Sequence, residues 1–190
     1  MRHKYDTRGL VLARMHAGEA NTVVTLLTPD LGLVHARAQS LRKSGAKLAP
    51  GLTTLAESEV MLVRGKEGWR IAGALLGENW FMRLGSVSAR NRASRVSGLF
   101  LRLVAGEMQN PDLFSIMKGF LEALATLPED QHEAVEILMV LRTLAVLGLD
   151  AGDIPGDDEI SFAAPVLADV LDARAGYVAR INTGIAASGL

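Results

Sequence analysis

The hydrophobic period of the chain changes at Trp80, so one kind of secondary structure cannot serve both halves. Before that residue the apolar positions come in short β-branched runs, at 9–13, 23–27, 33–38, 58–63 and 69–72. Runs of this length bounded by turn residues read as strands, with successive side chains on opposite faces. Thr28-Pro29-Asp30-Leu31-Gly32 marks a turn between the second and third runs, and residues 64–68 a tight turn between the last two. A Gly- and Pro-punctuated connection covers 40–51. Five short strands cannot cover a wide open sheet. A small closed barrel buries their apolar faces and leaves no free edge.

After Trp80 the spacing is helical. Leu113, Ile116, Met117, Phe120, Leu121 and Leu124 form one stripe, behind Asn110 as N-cap, Pro111 at the first helical position and Asp112 in the first turn. Pro128 stops that helix. Ala134, Ile137, Leu138, Leu141 and Leu144 form a second, which ends near Gly148. Val96, Phe100, Leu103 and Val104 give an earlier stripe, and a polar loop at 150–161 leads to further helix from Pro165 onward. The expected class is therefore α+β: a five-stranded β-barrel over residues 1–79, then an all-α domain over residues 80–190.

At 190 residues and 49% hydrophobic, the chain can bury the core of one domain or two small ones. It contains no cysteine, which removes disulfides and thiolate metal sites. His3, His16, His35 and His132 are scattered without ligand spacing, and neither a Walker loop nor a G-x-S-x-G elbow is present. No catalytic residue, metal or cofactor is expected, and the chain is read as non-enzymatic. The acidic run Asp157-Asp158-Glu159 reads either as a hard-cation loop or as a solvated one. Met1-Arg2-His3-Lys4 leads into Asp6 and Arg8 rather than an apolar stretch, and no run of 18 apolar residues exists. The expectation is a cytoplasmic protein that does not engage a membrane.

Charge is divided unevenly. Residues 1–80 carry 11 Lys or Arg against 7 Asp or Glu, whereas residues 81–190 carry 9 against 14. A basic half beside an acidic one points to a polyanion meeting the first module. On the third strand His35, Arg37 and Gln39 alternate with Val34, Ala36 and Ala38, and the polar face runs on to Arg42, Lys43 and Lys47. Arg8, Arg14 and His16 are expected to share a face of the first strand, and Arg64 and Lys66 flank the last turn. The candidate DNA-binding set is Arg14, His35, Arg37, Arg42, Lys43, Lys47, Arg64 and Lys66. Any one of these alone reads as a solvated strand residue; together they read as a phosphate path. Large aromatics are few (Tyr5, Trp69, Trp80, Phe81), and Trp69 reads as core as readily as a stacking platform. Binding of this kind is electrostatic and blind to sequence. In the helical half, Arg92, Arg95 and Arg102 on one helix flank, with Arg142 on another helix, form a candidate protein-partner site for an acidic peptide with an apolar tip. The same three also read as an extension of the DNA path or as plain helix surface.

The ordered segments Arg8-Gly9-Leu10-Val11-Leu12, Gly18-Glu19-Ala20-Asn21, Val23-Val24-Thr25-Leu26-Leu27-Thr28, Gly32-Leu33-Val34 and Leu41-Arg42-Lys43 resemble the start of the bacterial RecO family of recombination mediators. Leu48-Ala49-Pro50-Gly51-Leu52 and Leu62-Val63-Arg64-Gly65 continue the resemblance, which holds in register from Arg8 to about Gly77 and is looser beyond Trp80. It implies an N-terminal OB-fold and a helical C-terminal domain. It further implies binding of single- and double-stranded DNA, strand annealing, and partnership with RecR and with the C-terminal tail of single-stranded DNA-binding protein in loading RecA. Family members often carry a four-cysteine zinc site after the helix that ends here at Gly148. This chain has no cysteine and only residues 149–190 in that region, so the resemblance is to a short, metal-free variant. An RNA-binding OB-fold protein and a non-catalytic protein-interaction adaptor are the competing classes.

Overall fold

The computed structural model of the chain describes residues 3–17, 21–39, 41, 46–156 and 162–190. Arg42, Lys43 and the acidic run 157–159 of the sequence reading lie outside the described residues. The described chain forms two compact units, Met1–Arg83 with Gly106–Phe114, and Leu84–Ala105 with Ser115–Leu190.

The first unit is built on five strands, β1 (His3–Ala17), β2 (Asn21–Thr28), β3 (Gly32–Gln39), β4 (Ala56–Gly65) and β5 (Gly68–Asn79), followed by the single turn α1 (Trp80–Arg83). They close in the order β1-β2-β3-β5-β4, the five-stranded OB-fold barrel. β1 is far longer than its apolar run because it serves two partners. Residues 3–10 pair with β4 and residues 10–17 with β2, and Leu10 pairs with both Glu57 and Leu27. Where it changes partner, between Val11 and Ala13, the ladder carries a β-bulge. Leu55 holds this corner. It adopts φ 63°, its N–H donates to the Val11 carbonyl at 2.8 Å, and its carbonyl accepts the Trp80 N–H at 3.1 Å. A left-handed conformation costs a residue with a β-carbon about 1–2 kcal/mol, which the two backbone bonds and the buried Leu55 side chain offset.

The bulge also corrects one reading of the sequence. Thr7, Gly9 and Val11 face inward, and Arg8 pairs with exposed Glu59 on the outer side. One extra residue reverses the alternation, so Arg14 and His16 pair with Val24 and Thr22 and share their side instead. Arg8 therefore does not share a face with Arg14 and His16. Its guanidinium lies over the Phe114 ring, 5.4 Å from the centroid.

Val11, Val24, Leu26, Val34, Leu52, Val60, Leu62 and Ile71 fill the barrel, with Ala36 and Ala38 leaving room for Trp69. Gly9 lets β1 pass close over this core, because a β-carbon there would meet Val60 Cγ2 at 3.2 Å and Leu26 Cδ2 at 3.3 Å. Closure rests on a short parallel contact, Ala36 with Trp69 and Arg37 with Arg70. Gly106–Phe114 packs with the barrel through a bond from the Leu33 N–H to the Gly106 carbonyl at 3.3 Å.

The second unit is all helical among the described residues. It holds α2 (Val87–Leu103), the part of α3 (Pro111–Thr126) from Ser115 on, α4 (His132–Val146), α5 (Ala164–Asp172) and α6 (Arg174–Ala187). Asn110 Oδ1 accepts the Asp112 N–H at 3.1 Å, so it caps α3 as its residue type suggests. α4 is buried nearly all round, from Ala134 through Leu144, and is the core helix. Gly148, at φ 70°, ends it. The stretch after Pro165 breaks at Ala173 into α5 and α6. Gly184 brings α6 close to α4, since a β-carbon there would meet Leu144 Cδ1 at 2.9 Å. Arg180 on α6 donates from Nε and Nη2 to the two carboxylate oxygens of Asp150, and from Nη1 to the Asp153 carbonyl at 2.9 Å.

Gly32 and Gly68 both require positive φ, 69° and 95°, but only at Gly32 would a β-carbon strike backbone, the Met108 carbonyl oxygen at 2.2 Å. Gly68→Ala should cost about 1 kcal/mol of conformational strain. Gly32→Ala should cost at least about 2 kcal/mol. Urea midpoints of the two variants check this, and equal losses would contradict it. A second outcome follows from the Arg180 guanidinium, whose hydrogen bonds hold the Asp150 carboxyl below the usual carboxylate range, against the opposing effect of burial. The unfolded chain then binds this proton more readily than the folded one. The contribution is complete above the unfolded value of about 4 and is lost as pH falls through the lower folded value. Urea midpoints measured from pH 6 downward should therefore fall less steeply in Asp150→Asn than in the parent chain.

Candidate nucleic-acid interface

The β4–β5 hairpin turns at Lys66 and Glu67, closed by the Gly65–Gly68 pair. Because β5 also lies parallel to β3, this hairpin brings its charges beside those of β3. The result is an open groove of about 820 Å³ lined by Asn21, Arg37, Gln39, Arg64, Lys66, Glu67, Trp69 and Arg70 among others. Arg37, Arg64 and Lys66, all expected from the sequence, meet here. Arg70 was missed. Its only sequence signal is its alternation with core Trp69, and what makes it part of the site is its register with Arg37.

The groove is charged but internally restrained. Arg37 Nη1 donates to Glu67 Oε2 at 2.9 Å, and both groups are exposed, Glu67 by 84%. Such a pair contributes little and yields readily to a competing anion. Like charges at the paired positions Arg37 and Arg70 repel, which favours an anion between them. Arg64 is held differently. Its Nη1 donates to Glu107 Oε2, the Trp69 Nε1–H donates to Glu107 Oε1 at 2.8 Å, and its guanidinium lies over the Trp69 ring at 4.9 Å. Trp69 is 5% exposed and meets Tyr5 edge-on at 5.1 Å, so it is core and not an open stacking platform. Burial works against ionisation of Glu107, but the bonds from Arg64 and Trp69 and the nearby charges of Arg64 and His35 outweigh it and lower its carboxyl from the ordinary value.

Of the other described basic candidates, Arg14, His35 and Lys47 are not among the residues that line this groove. His35 and Gln39 alternate outward with Arg37 as expected, but His35 Nδ1 shares a hydrogen bond of 3.0 Å with Thr25 Oγ1 and does not line the groove. Arg14 and Lys47 are exposed and do not line it either.

In the second unit α2, α4 and α6 enclose a groove of about 450 Å³. Val96, Leu99, Ile137, Val140, Val178 and Ile181 supply its apolar lining, and Arg92, Arg95, Glu133 and Glu136 its charges. Arg92 and Arg95 both donate to Glu136, at 2.6 Å each. Arg102 is exposed in the last turn of α2 and does not line this groove. Arg142 departs from the sequence reading. It is 4% exposed, donates from Nη2 to the Gly156 carbonyl at 3.3 Å, and lies 5.0 Å from the Phe162 ring centroid. A guanidinium so buried anchors its own loop and is not a surface for a partner. Among the described residues no group of three or more His, Cys, Asp or Glu side chains is placed to hold a metal, and no helix is long and apolar enough to cross a membrane.

Residues 1–74 match the family described as recombination protein O N terminal. The DNA repair protein RecO of Dehalococcoides mccartyi is 33% identical over 122 residues, which cover 64% of this chain and 48% of that protein. RecO of Heliobacterium modesticaldum is 31% identical over 144 residues, covering 76% of this chain and 51% of the relative. RecO of Gloeobacter violaceus is 29% identical over 153 residues, covering 76% and 56%. The chain thus spans about half the length of the curated relatives it matches, and each of these alignments is longer than the barrel domain. Residues 1–74 are thus a RecO-family N-terminal domain, and the similarity to RecO proteins continues beyond it into the helical half.

Proposed function

We propose that this chain is a non-catalytic, cytoplasmic recombination mediator of DNA repair. It binds single- and double-stranded DNA along the barrel groove, anneals complementary strands and assists RecA loading with RecR. The observation that carries this reading is the convergence of Arg37, Arg64, Lys66 and Arg70 on one groove of a RecO-type barrel. Guanidinium and ammonium groups on a strand pair and a hairpin match the repeating phosphates of a backbone, and phosphate contacts fix position without reading bases.

A second element of the proposal concerns the α2–α4–α6 groove, whose Arg92 and Arg95 stand over an apolar lining. The acidic, aromatic-ended C-terminal tail of single-stranded DNA-binding protein has the complementary chemistry, with carboxylates for the arginines and an apolar end for the floor. Arg102 and Arg142 have no part in it.

Fluorescence anisotropy of the full chain with labelled oligonucleotides, titrated with salt, tests the first element. Each single-strand phosphate contact contributes about −0.7 to the slope of log affinity against log salt. The double variant Arg37→Ala, Arg70→Ala should flatten the slope by about 1.4 while melting within about 0.5 kcal/mol of the parent. An unchanged slope in a normally melting double variant would remove the groove from the DNA path. Equal binding of RNA of the same length would favour an RNA partner. For the second element, Arg95→Ala should weaken capture of a synthetic tail peptide several-fold and Arg102→Ala should not. Indifference of the peptide to Arg95 rules out this groove as its site.

A further inference from the structure

Buried indole N–H groups need an acceptor. That of Trp69 finds it in Glu107, whose other oxygen takes the Arg64 guanidinium. Two donors from adjacent positions of the β4–β5 ladder thus converge on the two oxygens of one anion, the bidentate geometry that suits carboxylates and phosphates alike. The donors are held in place without Glu107: Trp69 is packed in the barrel core against Tyr5, and Arg64 lies over its ring. Arg64 and Trp69 also line the basic groove, so the notch opens on the path proposed for the backbone. Glu107 itself comes from the segment that touches the barrel through Gly32 and Leu33, one residue to either side of it. It is a carboxylate on a short tether.

We propose that Arg64 Nη1 and Trp69 Nε1 form an anion notch for one DNA phosphate, and that Glu107 fills it as an internal stand-in which the phosphate displaces. The inference rests on the DNA-binding reading above and adds a site to it. Glu107 then sets a threshold: a single phosphate gains nothing by replacing an equivalent anion, whereas a strand already held by Arg37, Lys66 and Arg70 presents the next phosphate at high local concentration. Engagement of the notch is thereby reserved for a continuous backbone. Glu67 differs, being an exposed partner on the hairpin tip that leaves no buried donor behind when it moves.

The probe is a labelled oligothymidylate, titrated with salt against the full chain and its Glu107→Ala, Glu107→Gln, Arg64→Ala and Glu107→Ala/Arg64→Ala variants. Glu107→Ala should bind several-fold more tightly at fixed salt and steepen the salt slope by about 0.7, one added phosphate contact. Glu107→Gln keeps an acceptor for Trp69 but not the charge, and should show a smaller gain. It carries the test if the alanine variant fails to fold. Both gains should disappear once Arg64 is removed. Binding equal to or weaker than the parent in both Glu107 variants overturns the notch while leaving the groove intact, and so does a gain that survives Arg64→Ala. Absence of binding by the parent chain at low salt instead overturns the DNA-binding reading, and the notch with it.

Discussion

Two paired positions close the barrel. Where β3 meets β5, Ala36 stands beside Trp69 and Arg37 beside Arg70, and the parallel ladder goes no further. On the inner side this contact seals the core: the small Ala36 and Ala38 accept the large indole, and the edge of β3 finds a partner. On the outer side the same register sets Arg37 beside Arg70, while the β4–β5 hairpin carries Lys66 at its turn and Arg64 opposite Trp69. The apolar and cationic requirements of the unit are thus met by one geometric event. Losing the Trp69 packing would open the barrel and scatter the cations together.

Concentrating positive charge in this way has a cost in repulsion, and the chain offsets it with glutamates of two kinds. Glu67 sits at the exposed hairpin tip, where solvent screening keeps its pairing with Arg37 weak. Glu107 is fixed by two donors, one of them a buried indole, and arrives from a segment that follows α2 in sequence but belongs with the barrel. The first acid softens the field of the groove; the second binds two of the residues that line it. Removal of Glu107 would leave the Trp69 N–H seeking an acceptor, which is why that position is structural as well as electrostatic.

Charge is used differently in the helical unit. α4 is almost wholly buried, and Arg142 lies within it, its Nη2 donating to the Gly156 carbonyl and its guanidinium facing the Phe162 ring. Arg180 reaches from α6 to Asp150 and the Asp153 carbonyl. Both arginines therefore fasten residues 150–156 to the helices, and both are less exposed than Arg95 or Arg102. Guanidiniums held in this way act as ties for irregular backbone, whose carbonyls lack helical partners.

The element types were legible in the sequence because they depend on local period. Alternation of His35, Arg37 and Gln39 with Val34, Ala36 and Ala38 needs only the pleat of a strand, and the Asn110-Pro111-Asp112 start of α3 needs only capping chemistry. The five-stranded barrel and the helical half followed from those patterns, and Arg37, Arg64 and Lys66 stood out as candidates because strand faces and turn residues are read locally. The groove itself was not legible. Arg70 joins it through a parallel pairing between strands that are not neighbours in sequence, and Glu107 reaches Arg64 and Trp69 from a segment that follows α2. The single-residue bulge after Val11 separated Arg8 from Arg14 and His16, because alternation carries no memory of an inserted residue. Arg142 looked like surface because a helix wheel cannot tell a solvent-facing arginine from one enclosed by a distant loop. Local side-chain chemistry decided which segments became strands and helices; long-range register, bulges and returning segments decided which charges met, because those depend on contacts the linear order does not encode.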